Sequence, residues 1–80
     1  MNKLNLIELT PGEEAVIIEI LGGHGLRKRL EALGLNEGQK VKKLGRLGWG
    51  GPVILLINRA QIAIGHGMAQ KIFVQVNGNG

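Results

Sequence analysis

HGLRKRLEALGLNEGQKV, residues 24–41, combines a cluster of positive charge with leucines at helical spacing. At about 100° per residue, Leu26, Leu30 and Leu33 fall on one narrow stripe of a helix, which predicts a buried face. Gly34 followed by Leu35 is typical of a helix end, where glycine takes the left-handed conformation and the next apolar residue folds back onto the helix. We therefore predict a short helix over about residues 25–34, with Leu30 and Leu33 buried.

The basic residues of this stretch do not share one face of the predicted helix. Arg27, Lys28 and Arg29 project to three different sides, and Glu31 follows Arg27 by four residues, so part of the charge is expected to be paired. A helix that binds in a nucleic-acid groove would line its basic residues along one side. The helix is predicted to close a small barrel and to keep its charged rim in solvent.

The segments around this helix have the alternating or dense apolar character of short β-strands. Val16, Ile18 and Ile20 are expected on one face of the first strand, and Asn58 and Arg59 form a predicted tight turn between the third and fourth. The pattern predicts a mainly β fold, a small barrel of about five strands with a helical turn at about residues 66–70. The predicted strands lie within residues 13–21, 39–44, 51–58, 60–65 and 71–76.

Two turns of this barrel share one sequence pattern. LTPGEEA at residues 9–15 and LNEGQKV at residues 35–41 each place a turn former, then a glycine, before a strand. Gly12 and Gly38 are expected in the left-handed conformation, at equivalent corners of one barrel. The length fits a single domain over residues 1–80, and the glycine-rich end at 77–80 is predicted to be disordered.

The composition argues against an enzyme. The chain has no Cys, Ser, Tyr or Asp and a single Thr, so a Ser-His-Asp or Cys-His arrangement cannot be built. Carboxylate chemistry would have to come from six glutamates, and none has the apolar surroundings and charged partner of a tuned acid or base. We expect no catalytic residue and no cofactor.

The same composition bears on where the chain works. Its longest apolar run, Pro52–Ile57, is far shorter than the roughly 20 residues of a membrane helix. The N-terminus lacks the apolar core of a signal peptide, and the lack of cysteine agrees with a reducing compartment. A cytoplasmic location is expected.

Positive charge is concentrated in the middle of the chain. Seven of the ten basic residues lie between positions 27 and 46, against two glutamates there. Such a patch can steer an acidic protein, a nucleic acid or an anionic membrane, or can be a solvated surface without a partner. Trp49 and Phe73 are too few to form the stacking platform of a single-strand binder. Trp49, in the glycine-rich GRLGWGGP, is either an exposed anchor for a partner or a ring that covers the barrel mouth.

Two histidines offer a metal-binding alternative. His24 and His66 each stand between glycines just before a helical turn. If the barrel brought them together, two imidazoles and a glutamate could bind zinc or ferrous iron. The spacing does not require that meeting, and histidines without a metal are the favoured interpretation.

The order and spacing of these motifs resemble the FeoA family, the small cytosolic component of bacterial ferrous iron transport. The resemblance covers about residues 4–76 and is most specific at RKRLEALGLNEG, residues 27–38, and AIGHGMAQKIFVQV, residues 63–76. It implies an SH3-like barrel and a role beside FeoB, the membrane transporter with a cytosolic GTP-binding domain. The barrel also resembles the C-terminal domain of iron-dependent repressors, which leaves open a metal-sensing module that uses His24 and His66.

The leading hypothesis is therefore a non-catalytic adaptor that binds this transporter and modulates iron uptake. Its predicted contact surface is Leu26, Arg27, Arg29 and Trp49. The hypothesis involves neither nucleic acid nor a small-molecule substrate. It places the protein at the inner membrane only through its partner.

Overall fold

The computed structural model describes residues 3–76 as six strands and two short helices. The predicted disorder of residues 77–80 concerns residues outside this range. Nine residues form the longer helix, and no helix within residues 3–76 has the length and apolar character to cross a membrane. The elements are β1 Lys3–Asn5, β2 Glu14–Ile20, α1 His24–Ala32, β3 Lys40–Arg46, β4 Val53–Ile57, β5 Ala60–Ile64, α2 His66–Ala69 and β6 Ile72–Val76.

All strands belong to one antiparallel sheet, in the order β1-β6-β2-β3-β4-β5. The sheet encloses a single apolar core, so the predicted mainly β, SH3-like fold is confirmed. In β4 every second side chain is buried, as period-two alternation requires for a strand with one face on the core. The largest fully buried side chains are Leu6, Leu9, Ile17, Leu30, Leu35, Leu55, Ile64, Ile72, Val41, Val53 and Val74.

The sheet has six strands, one more than predicted. The additional strand is β1, which is only three residues long. It pairs with β6, Lys3 opposite Gln75 and Asn5 opposite Phe73. Asn5 Oδ1 then accepts hydrogen bonds from the backbone N–H groups of Ile7 and Glu8, at 2.9 and 3.0 Å. This turn brings the apolar residues on either side of it into the core.

The prediction that Val16, Ile18 and Ile20 share one face of β2 is wrong. Ala15 and Ile17 are buried, whereas Ile18 is 37% exposed and Val16 is half-buried. The register with β6 shifts between Ile17 and Glu19, as at a β-bulge. The extra residue reverses the alternation, and so Ile20 is buried whereas Val16 and Ile18 are not.

Helix α1 ends as its sequence predicts, although one leucine of the stripe is exposed. Gly34 has a φ of +88°, its N–H donates to Glu31 O at 2.9 Å, and the N–H of Leu35 donates to Leu30 O at 2.9 Å. This is the Schellman pattern of a helix C-terminus. Leu30 and Leu35 are fully buried, but Leu33 at the helix end is 46% exposed, so its predicted burial is wrong. Leu35 fills the core where the helix stops.

The two glycine corners are equivalent, as the repeated pattern predicts. Gly12 and Gly38 have φ values of +93° and +92°. The N–H of Gly12 donates to Lys43 O and that of Gly38 to Ile17 O, both at 2.7 Å. Each corner thereby extends the pairing between β2 and β3 at one of its two ends. The predicted turn at Asn58 is also confirmed, with a φ of +58°.

Candidate functional site

Two of the predicted contact residues, Leu26 and Arg27, have structural roles on α1. Leu26 is half-buried against the core, and a Cβ on the neighbouring Gly22 would lie 2.6 Å from its Cδ2. Arg27 donates from Nη1 to Ile20 O at 2.8 Å and from Nη2 to Glu37 Oε2 at 3.0 Å. The predicted pairing of Arg27 with Glu31 is therefore wrong. Arg27 instead ties the end of β2 to the loop that follows α1.

Lys28 and Arg29 form the exposed basic part of the helix. Both side chains are exposed, and within residues 3–76 neither has an ion-pair partner within 4.0 Å. Arg27, Glu31 and Glu37 are among the residues that line an open depression of about 240 Å³. Arg27 lines this depression, whereas the unpaired charges of Lys28 and Arg29 project to other sides of α1. We call Leu26, Arg27, Lys28 and Arg29 the helix patch.

Trp49 is fully exposed, so a ring lying over the barrel mouth is the wrong alternative. It is at the tip of the loop between β3 and β4, which is closed by a hydrogen bond from Leu47 N to Pro52 O at 2.9 Å. The glycines on either side of it, Gly48 and Gly50, have φ values of +63° and +66°. Leu47 is 59% exposed. The loop therefore holds an indole and a leucine in solvent.

The Trp49 loop and the C-terminal end of α1 lie at opposite ends of β4. The Trp49 loop extends beyond Val53 at one end of β4, where Arg46 pairs with Val53. Ile57, at the other end, contacts the C-terminal end of α1, since a Cβ on Gly34 would lie 3.7 Å from Ile57 Cγ2. Four residue steps along a strand separate these ends by about 13 Å. Trp49 is therefore attached at the end of β4 remote from the C-terminal end of α1, and we describe the helix patch and the Trp49 loop as two surfaces.

Lys43 is a buried cation that reasoning from the sequence missed. Only 3% of it is exposed, and Nζ donates to Ile7 O at 2.9 Å and to Leu9 O at 2.7 Å. Burial, and then the positive charge of Arg46, lower the pKa of Lys43 from its ordinary value. Strand alternation carried the signal, because Lys43 is two residues after the buried Val41. Lys43 therefore does not contribute to an exposed basic surface.

The structure does not support the metal-binding alternative. His24 is exposed at the start of α1, and His66 is half-buried at the start of α2. His66 Nδ1 is buried without a hydrogen-bond partner in the part of the chain that the structure describes. In that part, no three His, Cys, Asp or Glu side chains are grouped as a metal site would require.

Comparison with known proteins agrees with this fold. The model of the family described as FeoA domain matches residues 4–76. The protein named "Putative Fe(2+) transport protein A" in Methanocaldococcus jannaschii is 41% identical over 64 residues, 80% of this chain and 76% of its own length.

Solved structures show the same architecture. A crystal structure of an iron uptake regulatory protein (FeoA) has 32% identity and a TM-score of 0.83, covering 94% of this chain and 97% of the other. The T. acidophilum IdeR structure has 23% identity and a TM-score of 0.82, covering 96% of this chain but 35% of that one. The latter likeness is one of fold alone.

Proposed function

The chain belongs to the FeoA family of ferrous iron transport, and from this premise we propose that it is an adaptor that binds and modulates an FeoB-type transporter through its cytosolic GTP-binding region. The family is one of non-enzymatic accessory proteins. The absence of Cys, Ser, Tyr and Asp from the sequence supports the same role, because it removes the usual nucleophiles. In this proposal the protein works in the cytoplasm and reaches the inner membrane only through the transporter.

The observation that carries the proposal is the full exposure of Trp49 on a glycine loop. Tryptophan is among the residues most often found at energetic centres of protein interfaces, and an indole held in solvent has apolar surface to bury against a partner. Leu47 beside it is also exposed. We assign the Trp49 loop as the apolar contact.

The helix patch supplies the second contact. Arg29, with Lys28 beside it, provides charge that is unpaired within residues 3–76 and can meet an acidic surface. Leu26 and Arg27 contribute less directly, because Leu26 packs on the core and Arg27 is bonded to Ile20 and Glu37. Arg27 sets the position of the helix, and Arg29 is the residue that meets the partner.

The test is a titration of the protein with the purified cytosolic domain of the transporter, followed by amide NMR and calorimetry. Trp49→Ala is expected to weaken binding at least tenfold, since a central interface tryptophan contributes about 2 kcal/mol or more. Arg29→Glu is expected to weaken it several-fold, mainly through the association rate. Arg59→Glu is the matched control, with the same charge change at an exposed position on the β4–β5 turn.

The outcomes separate the adaptor role from its assigned surface. If the domain binds but Trp49→Ala and Arg29→Glu behave like Arg59→Glu, the surface is wrong and the adaptor role stands. If the domain leaves every amide resonance unmoved at saturating concentration, binding to this region of the transporter is refuted.

A further inference from the structure

Strand β5 is one end of the sheet, and its outer edge has no partner strand within residues 3–76. A two-residue turn joins β4 to β5, and Ile57 pairs with Ala60 across it. The pair that closes such a hairpin is hydrogen-bonded, and bonded and non-bonded pairs alternate from there. Gln61 and Ala63 therefore direct their backbone N–H and C=O groups away from β4.

This edge lacks the features that usually protect a sheet edge. Natural edge strands carry charges, proline or bulges, or are very short. Residues 60–64, AQIAI, contain neither charge nor proline, and the pairing with β4 is continuous over all five residues. Ala60, Gln61 and Ala63 are exposed. By contrast, the opposite edge, β1, is three residues long and carries Lys3, which is paired with Glu19 at 2.7 Å.

We propose that β5 pairs in antiparallel fashion with β5 of a second copy of this chain, about a two-fold axis at Ile62. In this register Gln61 is opposite Ala63 of the second copy, and Ala63 is opposite its Gln61. The outward backbone groups of both strands then face one another and form about four main-chain hydrogen bonds. The contact is isologous, and no charged side chain of either strand meets its like.

The register follows from the strand itself. Pairing centred on Ile62 overlaps all five residues of both strands, whereas centring on Gln61 or Ala63 leaves part of each strand unpaired. In the proposed pairing, Ile62 of one copy faces Ile62 of the other at a non-hydrogen-bonded position, where the two Cα atoms are about 4.5 Å apart. The pairing extends one curved sheet through two molecules and uses none of the residues of the helix patch.

Association is tested by light scattering and sedimentation from about 10 μM to about 1 mM, the range for a contact of a few hydrogen bonds. The mass is expected to rise from monomer towards dimer. Ala63→Lys should keep the protein monomeric, whereas Ala63→Gln, of similar length but uncharged, should not. Gln61→Pro should also prevent pairing, because it removes an outward N–H and no bond to β4. Circular dichroism confirms that each variant is folded.

Disulfide trapping tests the register, and it is unambiguous because the chain has no cysteine. Ile62→Cys is expected to form a covalent dimer under mild oxidation, since the distance between the two facing Cα atoms of residue 62 suits a disulfide. Ala60→Cys is the control, because it lies opposite Ile64 of the second copy and about 13 Å from the equivalent cysteine.

Three results would overturn the proposal. The mass could stay that of a monomer at the highest concentration. A dimer could persist equally in Ala63→Lys and Gln61→Pro, which would place the contact elsewhere. The Ala60→Cys variant could also cross-link as fast as Ile62→Cys, which would exclude this register.

Discussion

Lys43 connects the segment between β1 and β2 to β3 through a buried ammonium group. Its Nζ donates to the carbonyls of Ile7 and Leu9, while its backbone N–H donates to Glu13 O at 3.1 Å. A buried charge is costly unless it is hydrogen-bonded, and here two carbonyl acceptors offset that cost. This single residue thus holds a segment that regular sheet pairing does not reach.

Replacing Lys43 with Met should destabilise the fold by about 1–3 kcal/mol, because two carbonyls lose their donor inside the protein. Urea denaturation measures the change. Lys42→Met is the matched control, since Lys42 is half-exposed and its ammonium has no hydrogen bond within residues 3–76; about 0.5 kcal/mol or less is expected there. Equal losses in both variants would contradict the role given to Lys43.

The lowered pKa of Lys43 gives the stability a specific pH dependence. Between the pKa of the folded state and the ordinary value of 10.5, the unfolded chain binds more protons than the folded chain. The free energy of unfolding therefore rises with pH across this window. Relative to Lys43→Met, the wild-type protein should gain stability as pH rises towards 10.5 and then level off. A constant difference between the two proteins across that window would argue against the shift.

At the scale of elements, the end of α1 depends on the backbone conformation of Gly34. A side chain at a φ of +88° is strained, but a Cβ there would make only ordinary contact with Ile57. Gly34→Ala should therefore cost about 1–2 kcal/mol from conformation alone. Gly25→Ala is the control, and its effect on stability should have the opposite sign. Gly25 is inside α1, and a methyl group added there would meet nothing within 4 Å. It should stabilise by about 0.5–1 kcal/mol. Thermal unfolding of both variants checks the opposite signs.

The helices, strands and turns differ in how well the local sequence predicts them. Glycine corners, the turn at Asn58 and the C-cap at Gly34 were predictable, because each depends on local backbone conformation. The face of β2 was not, because the bulge between Ile17 and Glu19 is defined only by pairing with β6. Strand β1 was missed for a similar reason, since three residues are too few to show a period.

The same distinction between local and long-range information applies to the residues of the candidate site. The exposure of Arg29 was expected from its charge, although Arg29 borders the leucine stripe, three residues after Leu26 and four before Leu33. The positions of the Trp49 loop and the C-terminal end of α1 at opposite ends of β4 follow from long-range strand pairing, which no local sequence pattern specifies. The burial of Lys43 could have been predicted, because Lys43 is two residues after the buried Val41 in one strand. It was missed because Lys43 was counted with the other basic residues as part of a charged surface.

At the scale of the whole molecule, the two proposed contacts should respond oppositely to salt. The chain carries a net charge of +4, so two copies repel each other, whereas the contact proposed for the helix patch is with an acidic partner. The Debye length, over which charges interact, shortens from about 30 Å at 0.01 M to about 3 Å at 1 M ionic strength. Raising salt should therefore tighten pairing through the uncharged β5 edge and weaken binding of the transporter domain. The Kd values of both equilibria, measured by sedimentation and calorimetry across one salt series, should move in opposite directions. A parallel change would contradict the assignment of an uncharged edge to self-pairing and of a basic surface to the transporter domain.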